Sequence, residues 1–138
     1  MPRAAKPQPP KPVIVIDTRE QAAWSFSAAV DTVRGTLHTG DYSLVGSETA
    51  VCIERKSLDD WVGTLVTAYW RKLDNPPKRF ENELQRMQSY AFRAIIVEAP
   101  WSAMRDHLYV SRAHPSAVFA STCCIMVDWG VPVIMAED

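Results

Sequence analysis

Residues 39–61 read TGDYSLVGSETAVCIERKSLDDW. Gly40 and Gly46 mark turns, and the alternating residues around them have the pattern of a β-hairpin. The apolar run Ala50-Val51-Cys52-Ile53 should carry on into a core, yet it continues as Glu54-Arg55-Lys56, with Asp59-Asp60 just beyond. Side chains alternate along an extended strand, so Glu54 and Lys56 share one face and Arg55 takes the other. Two meanings are open. An ion pair at the rim of a sheet would contribute little. Alternatively, a carboxylate that holds a hard divalent cation stands beside a lysine that contacts a phosphate or an attacking water. The second meaning requires another carboxylate from a neighbouring strand. Asp41 lies thirteen residues before Glu54, and a hairpin across 41–56 brings the two together.

Outward from this segment the chain alternates between strand and helix patterns. The β-branched run Val13-Ile14-Val15-Ile16 predicts a central strand covered on both faces. It ends in the charge burst Asp17-Thr18-Arg19-Glu20, and Asp17 and Glu20 are placed to join the same acidic cluster. Carboxylates gathered at one sheet edge repel one another unless a cation sits among them. Trp24 and Phe26 pin the following loop. Segments 30–39, 41–46 and 50–56 read as strands with no helical period between them, which predicts an antiparallel meander. Ser57 is a good N-cap, with Asp60 in a box-like position three residues on. A helix over 58–68 turns Leu58, Trp61, Val62 and Leu65 inward. The prolines of Asn75-Pro76-Pro77 break any continuation. A second helix over 79–91 presents Phe80, Leu84 and Met87 on one face. A buried strand at 94–98, an irregular stretch over 100–114, a helix over 115–128 with Pro115 in its first turn, and a strand at 131–135 complete the chain. The order is βββ(β)ααβαβ, an α/β fold with a central mixed sheet and flanking helices.

Composition bounds the function. The 138 residues suit a single domain able to bury a core without staples. Lys and Arg total 15 against 16 Asp and Glu, a formal net charge of −1, so nucleic-acid binding would need a local basic patch. Residues 1–12, rich in proline and basic side chains, read as an extended tail without the apolar centre of a signal peptide. No stretch is apolar enough to span a membrane. The cysteines Cys52, Cys123 and Cys124 lack metal-ligand spacing and read as reduced, largely buried thiols in a cytoplasmic protein.

Together DTRE (17–20), GDY (40–42) and ERKSLDD (54–60) resemble the XPF-type structure-specific endonucleases. That family carries GD, a spacer, ERK, three residues and Asp, and belongs to the PD-(D/E)xK, or restriction-endonuclease-like, superfamily. RFENELQRM (79–87), IIVE (95–98) and WGVPVIMAED (129–138) extend the similarity over nearly all of 13–138. The wording of 17–26, DTREQAAWSF, is most similar to short bacterial and phage members. The resemblance implies a three-layer restriction-endonuclease-like nuclease domain over 13–138 that hydrolyses DNA phosphodiester bonds with Mg²⁺ or Mn²⁺. Asp41 and Glu54 would be metal ligands, with the carbonyl of Ile53 as a further donor, and Lys56 the catalytic lysine. Arg55 would support the site or contact DNA, and Asp17, Arg19 and Glu20 would complete an acidic wall. Asp60 is open between a dipole-favoured helix acid and a site residue, while Asp59 reads as solvated.

The segment 67–78 looks longer than the usual link between the family's two helices. Its Arg71, Lys72 and Lys78, with neighbouring Arg79 and interleaved Tyr69 and Trp70, suit contact with phosphates and an unpaired base, or simply cover the core edge. The resemblance also allows a homodimer through the apolar helix 115–128, which would equally suit burial between sheet and second helix. The competing reading is a catalytically silent DNA-binding or scaffolding module, but silent members usually lose GD or ERK residues, and both motifs are present here. No small-molecule cofactor is implied.

Overall fold

The computed structural model describes residues 9–67 and 78–137. Six strands form one mixed sheet: β1 (Val13–Asp17), β2 (Asp31–Gly35), β3 (Tyr42–Leu44), β4 (Val51–Ser57), β5 (Phe92–Glu98) and β6 (Val133–Met135). Their spatial order is β2-β1-β3-β4-β5-β6. The expected meander is corrected at one edge. β2 does not pair with β3. It lies outside β1 and runs parallel to it, Val15 opposite Val33. Parallel pairing needs a crossover of about a dozen residues or more, and the connection 18–30 has that length although it forms no helix. The β1–β3 and β3–β4 pairs are antiparallel, and β4–β5 and β5–β6 are parallel.

Helices α1 (Leu58–Leu65), α2 (Arg79–Met87), α3 (Trp101–Arg105) and α4 (Pro115–Trp129) supply the rest of the core. The inward faces of α1 and α2 are as the periodicity predicts, with Trp61, Val62, Leu65, Leu84 and Met87 fully buried. They join Ile95 and Val97 of β5 and Val118 and Ile125 of α4 in a single apolar cluster. Helix α4 ends at Gly130, whose left-handed φ of 57° makes the C-cap. One expectation about α4 is corrected, and of its two open readings burial between layers does not hold. Cys124 is exposed and Cys123 only partly covered, because the buried stripe runs through Val118, Thr122 and Ile125 instead. Phe119 and Val127 point outward, so the apolar surplus lies on the solvent side rather than between layers. Among the described residues no helix is long and apolar enough to cross a membrane.

Candidate active site

The turn at Gly40 decides where Asp41 sits. Gly40 has φ +83°, and a Cβ there would lie 2.8 Å from Cys52 Sγ and 2.9 Å from the Ile53 carbonyl oxygen. Glycine is required both for the conformation and for the close approach to β4. Asp41 then locks to both neighbouring strands. Its N–H donates to Ile53 O at 2.8 Å, and its own carbonyl accepts from Asp17 N at 2.8 Å. Its carboxylate Oδ2 accepts from Arg55 N at 2.8 Å. Burial pushes the Asp41 carboxyl above the usual range, opposed by the Arg55 N–H. The Ile53 carbonyl proposed as a metal donor thus already accepts one hydrogen bond, leaving its second lone pair.

Beyond Asp41, β4 delivers its three charges to two faces. Glu54 and Lys56 share one, with Nζ 3.4 Å from Oε1 and side chains 17% and 14% exposed. Burial raises the Glu54 carboxyl to about 8, and the nearby charge of Glu83 adds to this while Lys56 opposes it. Arg55 turns to the other face. Its Nε donates to Glu98 Oε1 at 2.8 Å, and its Nη1 reaches Glu20 Oε1 at 3.2 Å and the Ala22 carbonyl. The guanidinium lies 5.5 Å from the ring centre of Trp24. Trp24 in turn donates through Nε1 to Glu98, and through its backbone to the Tyr42 hydroxyl. Arg55 is thus held by contacts within the protein. It rivets the loop after β1 to β3, β4 and β5.

Asp17 and Glu20 line the same cavity as Asp41 and Glu54, a space of about 290 Å³, but their carboxylates are already engaged. Both Asp17 oxygens are held: Oδ1 accepts from Arg19 N and Nε, and Oδ2 from Arg19 Nη2 and Leu37 N. Glu20 accepts from Arg55 and from Ala22 N. Arg19 also lines the cavity while clamped to Asp17. The Asp17-Thr18-Arg19 turn therefore folds into its own ion pair rather than an open acidic wall. Arg19 foremost, despite burial, holds the Asp17 carboxyl at about 2. Because this pKa is depressed, the stabilisation is present above the unfolded value near 4 and is lost as pH falls through 2. Asp17→Asn should therefore cost about 2 kcal/mol at pH 7. In urea unfolding the deficit should shrink between pH 4 and pH 2; a deficit independent of pH would contradict this.

A second cavity, of about 530 Å³, opens on the other side of Glu54 and is lined by Lys56, Asp60, Arg79, Phe80 and Glu83 among others. Asp60 keeps both of its readings: its N–H donates to Ser57 Oγ at 3.1 Å, and it borders the cavity. Asp59 is more than a solvated charge, since its Oδ1 accepts from Val110 N at 2.7 Å. Lys78 stands at the N-cap of α2. Arg79 borders both cavities. Arg71 and Lys72, with Tyr69 and Trp70, lie outside the described residues. The residue that sequence reasoning missed is Glu83, which borders both cavities together with Glu54. Its signal was available: it stands three residues after Phe80 and one before Leu84, a charge at the edge of an apolar helix face.

A family model for the ERCC4 domain matches residues 16–138. Among solved structures, the chain resembles XPF from Aeropyrum pernix in a complex with DNA, with a TM-score of 0.69 at 21% identity, over 93% of this chain and 57% of that one. At that identity the likeness shows a shared fold. Among curated proteins, one from Methanocaldococcus jannaschii described as a candidate ATP-dependent RNA helicase is 26% identical over 132 residues. That match covers 94% of this chain but only 14% of the relative.

Proposed function

The chain belongs to the ERCC4 domain family, and on that premise we propose that it is a divalent-metal-dependent DNA endonuclease. The observation that carries this reading is the hairpin register. It sets the Asp41 carboxylate on the Arg55 N–H, between the side chains of Glu54 and Lys56 on one face and the Arg55 clamp on the other. The donor set suits Mg²⁺ or Mn²⁺. Asp41 Oδ2 is committed to Arg55 N, but hard carboxylate oxygens of Asp41 and Glu54 remain, with a lone pair on Ile53 O. Among the described residues no three acidic, histidine or cysteine side chains are drawn together as a ready metal cluster. Two carboxylates plus retained water is the habit of Mg²⁺.

A cation held there supplies charge neutralisation at the scissile phosphate and a more acidic water. Lys56 would hold the attacking water or a phosphate oxygen with its ammonium, which Glu54 keeps oriented. Arg55 would fix the end of β4, so that Glu54 and Lys56 do not swing as substrate binds. Arg19, Lys78 and Arg79 would meet DNA phosphates along the rim. In-line attack would leave a 5′-phosphate and a 3′-hydroxyl.

The test is cleavage of single-stranded, duplex, flap, fork and four-way-junction DNA by the purified chain. Cutting should require Mg²⁺ or Mn²⁺ and stop with EDTA. Cutting that persists in EDTA would refute the metal role, and DNA binding without any cutting would leave a silent binding module.

A further inference from the structure

The cavity between the end of β1, the turn at 38–41, β4 and α2 is bordered by two buried oxygen atoms that no described residue satisfies. Among the described residues Glu83 Oε1 has no hydrogen-bond donor, although its carboxyl lies against that of Glu54. Thr39 Oγ1, on a residue only 5% exposed, is the other. Both residues line the cavity that holds Asp41 and Glu54. A buried polar atom without a partner is costly, and a carboxylate facing another carboxylate more so. Lys56 is the ammonium placed to help, and its contact goes to Glu54. Arg79 and Arg86 flank Glu83 along α2 and border the cavity from exposed positions, yet neither donates to Oε1.

The position of Glu83 is not an accident of a loose surface helix. Phe80, Leu84 and Met87 anchor α2 in the core. With Phe80 and Leu84 fixed, the side chain at 83 is carried over the mouth of β4 and borders both cavities beside Glu54. A glutamine here could satisfy Glu54 by donating an N–H to it at any pH; an ionised glutamate can only accept. The two carboxyls and the threonine hydroxyl therefore share one need, for donors and positive charge beyond those the described residues supply. A hydrated divalent cation supplies both.

Resting on the nuclease reading above, we propose that Glu83 is part of the cation site: a third carboxylate, delivered by α2, that accepts hydrogen bonds from the ion's hydration shell opposite Asp41 and Glu54. Such outer partners orient the ligand set and typically change metal affinity by roughly ten- to a hundredfold. This role explains why no three acidic groups converge as a ready cluster among the described residues: Glu83 engages through water. It also makes α2, and not only the signature hairpin, part of the site.

The test is calorimetric titration of the EDTA-treated protein with Mn²⁺ alone, together with thermal unfolding without metal. Glu83→Gln should weaken Mn²⁺ binding by about tenfold or more and should raise the metal-free melting temperature, because it removes an uncompensated charge beside Glu54. Glu83→Asp, which keeps the charge, should retain most of the affinity. A residue that merely held the helix would behave oppositely, lowering the melting temperature and leaving affinity intact. Unchanged Mn²⁺ affinity in Glu83→Gln, with binding lost in Glu54→Gln, would overturn this proposal and leave the nuclease reading standing. Absence of Mn²⁺ binding by the wild-type chain would overturn both.

Discussion

Replacing Lys56 by alanine, Glu54 by glutamine or Asp41 by asparagine should each slow DNA cleavage by at least about a thousandfold, equivalent to about 4 kcal/mol of lost transition-state stabilisation. The three changes fail for different reasons. Lys56→Ala removes the ammonium that stands 3.4 Å from Glu54 Oε1, and with it the charge available to the phosphate or water. Glu54→Gln keeps the volume but removes a ligand charge. Asp41→Asn is the most informative. The Asp41 oxygen accepting from Arg55 N holds β3 against β4, and an amide oxygen can still accept that bond. Cleavage should therefore vanish while the melting temperature stays close to wild type. Asp41→Ala loses the bond as well and should cost about a further 1–2 kcal/mol of stability. Gel-based cleavage rates and thermal melts on the same preparations separate these outcomes. Full activity in Lys56→Ala or Asp41→Asn would remove the assignment.

The heart of the fold was legible because period-2 alternation and two turn glycines are local signals. β4 alone states the division of Glu54 and Lys56 from Arg55, and the observed contacts of Arg55 with Glu98 and Glu20 on the far face follow that division. The place of β2 was not legible. Strand partners are chosen by long-range geometry, and residues 31–35, exposed along most of their length, carry no apolar pattern to say which edge they join. Short-range reasoning defaulted to the nearest neighbour, whereas the length of 18–30 permits a crossover.

Charges proved harder to read than apolar residues. Sequence places Asp17 and Glu20 near the site but does not reveal that each has a private partner. For Asp17 the partner is only two residues away, and turn geometry decides the pairing. Glu20 is taken by Arg55 from a distant strand. Among the described residues the carboxylate with a buried, unsatisfied oxygen is instead Glu83, hidden by an ordinary amphipathic helix in which most acidic residues face water. In α4 the difficulty reverses. Exposed positions such as Phe119 and Val127 are as apolar as the buried ones, so periodicity could not select the inward stripe or foresee that Cys124 faces out.

The largest stability effect should come from Trp61. Its side chain is fully buried, sits edge-on to Phe80 with centroids 5.8 Å apart, and donates from Nε1 to Thr122 Oγ1 at 3.0 Å. Thr122 in turn donates its hydroxyl hydrogen bond to the Val118 carbonyl at 2.8 Å. One indole thus joins α1, α2 and α4. Trp61→Ala removes this volume from a site closed on several sides, and should cost about 3–5 kcal/mol in urea unfolding. Trp61→Phe keeps most of the apolar contact. Thr122 still donates to Val118, so only one hydrogen bond and part of a ring are lost, about 1–2 kcal/mol. A loss below about 1 kcal/mol in Trp61→Ala would mean that the three helices are held by other contacts. The effect should reach the site as well. α1 begins at Leu58, two residues after Lys56, and α2 carries Glu83 three residues beyond Phe80. Loosening their common anchor should weaken Mn²⁺ binding in Trp61→Ala even under conditions where the variant remains folded, whereas Trp61→Phe should bind like wild type.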